Sequence, residues 1–267
     1  MKNQEYVLSL SYGKDSLACL GAIEQLGLPL DRIVHAEVWA TDTIHADLPE
    51  MVEFKKKADK IILDRYGIEV EHIRSKWSFE SHFYQSHIYG STKVANPSKD
   101  GIYGFPVRVG MWCNSRLKVS ALSKAQKAAT AVYIGIASDE PERFHNLTGK
   151  KRSPLVEAGW TEEMCRKWCE DNDLLSPIYT TATRGGCWFC PNQGIDQLRL
   201  LRKNHPDLWG LLLKWDSDSP VSFKPDGHTV HDFDKRFEAE EKGLVPADRK
   251  FRWKMLDHPT EKGGEQE

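Results

Sequence analysis

The chain reads as an α/β protein: a parallel, twisted sheet with helices on both faces, followed by a helical, cysteine-containing C-terminal part. Three observations predict this class. Short apolar runs bounded by polar turns alternate with segments of helical periodicity as far as Ile136. The first run breaks straight into a turn of small residues and then a helix, the usual start of a parallel αβ unit. Beyond Thr161 the sheet pattern does not return.

Each element follows in order. Tyr6 to Leu10 is a short apolar run, a buried first strand; Ser11-Tyr12-Gly13-Lys14-Asp15-Ser16 ends it. Leu17 to Leu26 carries a helical apolar period, with Cys19 on the apolar face. Ile33 to Trp39 is a second strand, running out into Ala40-Thr41-Asp42-Thr43. Leu48 to Tyr66 is helical, and Lys55, Lys56, Lys57 and Lys60 are expected mostly on its solvated side. Ile68 to Ile73 reads as a third strand and Phe79 to Ile88 as a helix. From Tyr89 to Val109 the pattern dissolves into Gly, Pro, Ser and aromatics; a loop of that length often covers a site. Ser115 to Ala129 is a basic helix and Ala131 to Ile136 a clean strand. Thr161 caps a helix that carries Cys165 and Cys169 four apart on one face. The stretches Leu198 to Leu213 and Phe223 to Trp253 are helical and aromatic enough to close a site or bind a partner. The expected organisation is an α/β domain over 1–158, the cysteine-containing region over 159–258, and a disordered tail over 259–267.

Bulk properties narrow the function. The 267 residues carry a formal net charge of −2, which excludes a bulk polyanion binder while allowing a local basic surface. No stretch approaches a membrane span, and the N-terminus leads directly into the first strand, so a cytoplasmic protein without a membrane partner is expected. In a reducing compartment the six cysteines point to metal binding or catalysis rather than to a disulfide framework.

The turn after the first strand is the most informative segment. Free N–H groups and the helix dipole can hold an anion there. Gly13 permits close backbone approach, Ser11 and Ser16 offer hydroxyls, and Lys14 supplies a point charge. It is no Walker A loop, because Leu8 and Asp15 stand where Gly and Ser or Thr are required. A plainer reading is a polar turn with Ser16 as N-cap. Asp42-Thr43 after the second strand has its plain reading as a helix-entry turn. Arg116 and Lys118 are anion binders or simply two cations on an exposed helix. Arg143 and the following Lys150, Lys151 and Arg152, with Trp112 and Trp160, could receive a nucleic acid or form a solvated loop.

The cysteines offer their own chemistry. Gly186-Cys187-Trp188-Phe189-Cys190-Pro191 is a CxxC pair suited to zinc, an iron–sulfur cluster or a redox dithiol. With Cys113, Cys165 and Cys169 there are five candidates for four positions. A second CxxC is missing, so a zinc ribbon fits poorly, and cysteines scattered over three segments suit a cubane cluster better.

Together these residues resemble the PP-loop ATP pyrophosphatase superfamily, in particular its phosphoadenosine phosphosulfate (PAPS) reductase-like branch. Ser11, Gly13, Lys14, Asp15 and Ser16 match the Ser-Gly-Gly-Lys-Asp-Ser signature, with Tyr12 replacing one small residue. Asp42-Thr43 with Pro49-Glu50, the run Cys113 to Lys118, the passage Gly135 to Arg143 and Pro154-Leu155 before Trp160 follow in the family's order, spanning roughly Tyr6 to Gln193. The arginine expected early in the Gly135 passage is absent, and Ala137 and Ser138 stand there. No cysteine follows Cys190, so the C-terminal Glu-Cys-Gly-x-His segment of the assimilatory reductases is missing.

The resemblance implies the adenine nucleotide alpha hydrolase-like fold. It implies an adenine nucleotide, in first place ATP, held by Ser11, Gly13, Lys14, Asp15, Ser16, Thr43, Arg116, Lys118, Gly135 and Arg143. Lys14, Asp15 and Asp42 would be catalytic, with Mg²⁺ near Asp15 or Asp42. It further implies a 4Fe-4S cluster on Cys113, Cys165, Cys187 and Cys190, with Cys169 as alternate and zinc as the alternative metal. The expected activity is adenylation, giving AMP and pyrophosphate, coupled to sulfur transfer. A nucleic-acid substrate and a sulfur-donor or electron-donor protein are the expected partners. The alternatives are a sulfonucleotide (PAPS or APS) reductase-type enzyme and a non-catalytic nucleotide-sensing subunit.

Overall fold

A computed structural model describes residues 4–86, 101–106, 111–180 and 185–257. The packing divides the chain into two units, Met1–His82 with Trp112–Trp188, and Phe83–Met111 with Phe189–Glu267. The expected boundary at residue 158 is corrected by this division: residues 159–188 pack with the sheet.

In the first unit, β1 (Tyr6–Leu10), β2 (Arg32–Glu37), β3 (Val70–Arg74), β4 (Ala131–Tyr133) and β5 (Lys151–Arg152) form one parallel sheet in the order β3-β2-β1-β4-β5. β1 lies centrally, with Leu8 opposite Ile33 on one side and Tyr133 on the other. Alternation along the strands feeds two apolar layers. Leu8, Leu10, Ile33 and Val70 pack under α1 (Lys14–Leu26) and α2 (Pro49–Tyr66), while Val7, Val34 and Val132 face the other way. The helix α3 (Phe79–Phe83) ends five residues before its expected limit. The expected basic helix is divided into a π-helical segment, Asn114–Val119, and α4 (Ser120–Ala125), whose Leu122 and Ala125 close the second layer. Helices therefore cover both faces.

Three short helices complete this unit: α5 (Pro141–His145), α6 (Pro154–Ala158) and α7 (Glu162–Asp171). Thr161 caps α7 as expected, its side chain accepting from Met164 N–H. α7 lies against α1 at Gly21, where a Cβ would come within 2.4 Å of the Trp168 ring. That close approach is why the segment after residue 158 belongs to the sheet unit.

The second unit contains α8 (Ile195–Asn204), α9 (Pro206–Asp218) and α10 (Val230–Glu241). Its aromatic core joins Phe83, Phe105, Trp215 and Phe223, and also Trp209 with Phe237. Among the described residues no helix is long and apolar enough to cross a membrane. Most of the expected loop Tyr89 to Val109 and the tail beyond Asp257 lie outside the described residues.

Candidate functional site

The turn after β1 is built as a closed hydrogen-bonded ring. Ser16 Oγ accepts from Ser11 N–H at 3.1 Å and Ser11 Oγ at 3.0 Å, and donates to the Gly13 carbonyl at 3.0 Å. Ser16 is thus not the N-cap of α1. Gly13 occupies that position, without a side-chain cap. The Lys14 amide, at the first turn of α1, donates to the Tyr179 hydroxyl at 3.0 Å.

Tyr12, the departure from the small-residue signature, has φ +58°, a left-handed conformation that a bulky residue rarely adopts. Burial of its side chain holds it there. The ring meets His35 edge-on at 4.7 Å, and the hydroxyl donates to Asp59 and lies 3.1 Å from His72 Nε2. Burial, then the Asp59 carboxylate, push the phenol far above its ordinary range.

Gly135 follows β4 and touches the same turn from beneath. A Cβ there would lie 2.5 Å from Ser16 N and 2.7 Å from Asp15 C and Ser16 Cα. Its absence lets the chain after β4 support the start of α1. This packing is the role the structure gives Gly135.

A cavity of about 580 Å³ opens at the C-terminal ends of β1 and β2. Ligands of parallel sheets collect at such a place. Ser11, Gly13, Lys118, Arg143 and Cys187 of the expected residues line it, as do Asp47, Lys55 and Tyr179. Lys14, Asp15, Ser16, Asp42, Thr43, Arg116, Gly135, Cys113 and Cys165 are not in its lining. Asp42 is exposed, with Arg74 at 3.5 Å, and Thr43 is exposed beside Thr41. The carboxylate that reaches the cavity after β2 is Asp47 instead.

Lys55 is the residue that sequence reasoning missed. It is 8 % exposed, and its ammonium donates to Asp47 at 2.6 Å and to His35 Nε2 at 2.9 Å. The tautomer follows from the partners: His35 Nδ1 lies 2.9 Å from the Leu10 carbonyl, which can only accept, so Nδ1 carries the proton and Nε2 accepts from Lys55. Burial and then the Lys55 charge hold His35 neutral, well below the usual histidine range. Nearby, His72 is pushed up, chiefly by its bond to Asp59, with Glu37 also 2.9 Å from its ring. A signal for Lys55 existed. Met51, Phe54, Lys55, Ala58 and Ile62 fall on one buried stripe of α2, and a lysine inside such a stripe requires partners.

Lys14 and Asp15 belong to a second polar cluster. Lys14 Nζ meets Asp15 at 2.7 Å and Glu162 at 3.1 Å. Carboxylates of Asp15, Glu140 and Glu162 lie within 4.8 Å of one another, and among the described residues this is the only such convergence of His, Cys, Asp or Glu. Burial, opposed by Lys14, raises Asp15; burial works against the Lys14 ammonium, but its ion pairs prevail and raise it. Arg143 reaches the edge of this cluster, pairing with Glu140 at 2.5 Å.

The cysteines separate into two environments. Cys19, Cys165 and Cys169 are fully buried in the α1/α7 core, with Cys169 Sγ 3.3 Å from the Lys14 carbonyl. Burial pushes the Cys165 thiol up to about 12, a thiol held in its protonated form. Cys165, expected as a ligand, and Cys169, its expected alternate, both lie among the apolar side chains of this core. Cys113, Cys187 and Cys190 are half-buried. The basic stretch after Arg143 is largely occupied internally. Lys150 donates to carbonyls at the end of α4, and Arg152 pairs with Glu157 at 2.7 Å.

The fold and this site define an α/β protein with a cation-lined cavity at the C-terminal edge of a parallel sheet. No family model matches the chain, and no curated protein matches it. Among solved structures the chain is similar to the U34-tRNA thiolase NcsA from Methanococcus maripaludis with its 4Fe-4S cluster, at 14% identity over 89% of this chain and 74% of that one, with a TM-score of 0.40. At that score the likeness carries no argument about this site.

Proposed function

We propose that the chain is a PP-loop enzyme that binds an adenine nucleotide, in first place ATP, and uses adenylation for sulfur transfer. The observation that carries this reading is the Ser11-Tyr12-Gly13 half of the turn opening on a cavity that Lys55, Lys118 and Arg143 also line. Three cations and a serine turn suit a polyphosphate. In the reaction a substrate oxygen attacks the α-phosphorus, the bond to the bridging oxygen breaks, and pyrophosphate leaves with the electron pair. Lys118, Arg143 and Lys55 offset the charge that develops on it.

The carboxylates of Asp15, Glu140 and Glu162 are donors of the kind Mg²⁺ takes, and an ion there would compete with the Lys14 ammonium that pairs with two of them; Asp42 does not join them. Of the thiols, Cys113, Cys187 and Cys190 are each half-buried and would be open to metal, whereas Cys165 and Cys169 are enclosed in the core. When bound, a 4Fe-4S cluster would supply the iron–sulfur chemistry for carrying sulfur to an activated substrate.

Anaerobic purification with iron and sulfide analysis, joined to a pyrophosphate-release assay, tests the reading. About four irons and four sulfides per chain, with ATP-dependent pyrophosphate release, are expected. Binding of PAPS in preference to ATP would overturn adenylation in favour of a sulfonucleotide reductase. Zinc in place of iron, without turnover, would leave a nucleotide-sensing subunit.

A further inference from the structure

Within the second unit, a lysine far along the chain is built into the turn that presents Cys190. Lys224 Nζ donates to the Pro191 carbonyl at 2.6 Å and to the Gln193 carbonyl at 2.6 Å. The turn is closed by Gln193 N–H bonding the Cys190 carbonyl at 2.9 Å. The ammonium commits two of its three N–H groups to this one turn, one of them at the carbonyl of the residue that follows Cys190. Its own position is fixed. The Lys224 amide bonds the His228 carbonyl at 2.9 Å, the Gly227 amide returns to the Lys224 carbonyl at 3.1 Å, and the ammonium stands over the Phe223 and Phe233 rings at 5.2 and 5.8 Å.

An ammonium held by two carbonyls and standing over two aromatic faces has exchanged water for those partners. A thiolate, or a cluster carrying the negative charge of several thiolates, gains from a fixed cation at that place.

We propose that Lys224 is a positioning residue for Cys190: it clamps the Cys190–Gln193 turn through two carbonyls and fixes a positive charge on the carbonyl of the next residue, Pro191. The inference rests on the reading that Cys190 holds metal, and the experiment separates the two. Lys224→Met and Lys224→Arg are made in the full chain beside the parent protein. Hydrogen exchange is followed at Gln193 in metal-free protein, and the half-time of iron loss to a chelator in protein loaded anaerobically.

In Lys224→Met, exchange at Gln193 is expected to accelerate about tenfold or more and iron to leave several-fold faster. Lys224→Arg, which keeps the charge and donors, is expected to restore most of both. The reduction potential of the loaded protein should fall in Lys224→Met and recover in Lys224→Arg, a change that a purely structural lysine would not produce. Unchanged exchange in Lys224→Met overturns the proposal. So does faster exchange with iron held as tightly as before. A parent protein that takes up no iron, with exchange still accelerated by Lys224→Met, would overturn the metal reading and leave the clamp standing.

Discussion

Replacing Gly135 with alanine puts one methyl group where the structure has no room for it. The new Cβ would lie 2.5 Å from Ser16 N and 2.7 Å from Asp15 C, against an ordinary contact of 3.4 Å or more. The obstacle is backbone on both sides, so no side chain can turn away. The chain after β4 and the first turn of α1 must separate by about 0.9 Å. Overpacking of this kind costs about 1–3 kcal/mol. At about 2–4 °C per kcal/mol for a chain of this size, the melting temperature should fall by roughly 2–12 °C. The same displacement carries Ser16, Ser11 and the Lys14 amide with it, and a shift of about 1 Å at a phosphate-binding turn costs on the order of 100-fold in turnover. Gly210 is the internal control. It sits within α9, where an added methyl would meet nothing within 4 Å, so Gly210→Ala should stabilise by about 0.5–1 kcal/mol. Thermal melts and pyrophosphate release on the three proteins decide the matter. If Gly135→Ala melts and turns over like the parent while Gly210→Ala is more stable, the contact between β4 and the turn does not set the site.

Three further outcomes follow from the same geometry. Lys55→Met should weaken ATP binding by about 10- to 100-fold, the value of a charge-assisted bond to phosphate, and calorimetry against adenosine should show no comparable loss for the uncharged nucleoside. His72 and His35 oppose each other in pH dependence. Stability from the raised His72 is complete below its unfolded value of about 6.5 and is lost as pH rises through the folded value, whereas stability from the depressed His35 is complete above about 6.5 and is lost as pH falls. His72→Gln should therefore remove the alkaline decline from a series of denaturant melts and leave the acid decline in place. Cys165→Ala should lower the melting temperature through a cavity in the α1/α7 core yet keep its iron, while Cys187→Ala and Cys190→Ala should lose it; equal iron loss in all three would return Cys165 to the ligand set.

Sequence periodicity alone determined the strands β1 to β4, the parallel αβ order and the anion-suited turn at Ser11 to Ser16. These are local signals: an apolar run, a break of small residues and a helical stripe occupy neighbouring positions, and neighbouring residues dictate them. It also placed Cys19 in the core and Thr161 at a helix start, for the same reason. The destination of long side chains was a different matter. Lys55 belongs to a lysine run that suggests a wet face, and only the fold brings Asp47 and His35 to its ammonium. Lys14 likewise gains a partner that local sequence does not announce, because packing of α7 on α1 carries Glu162 to it. The same packing buries Cys165 and Cys169, whose spacing had suggested ligands. A cation, a thiol or a carboxylate acts through what lies within a few ångströms of it, and those neighbours come from distant parts of the chain; a linear pattern registers only the chemistry each residue brings.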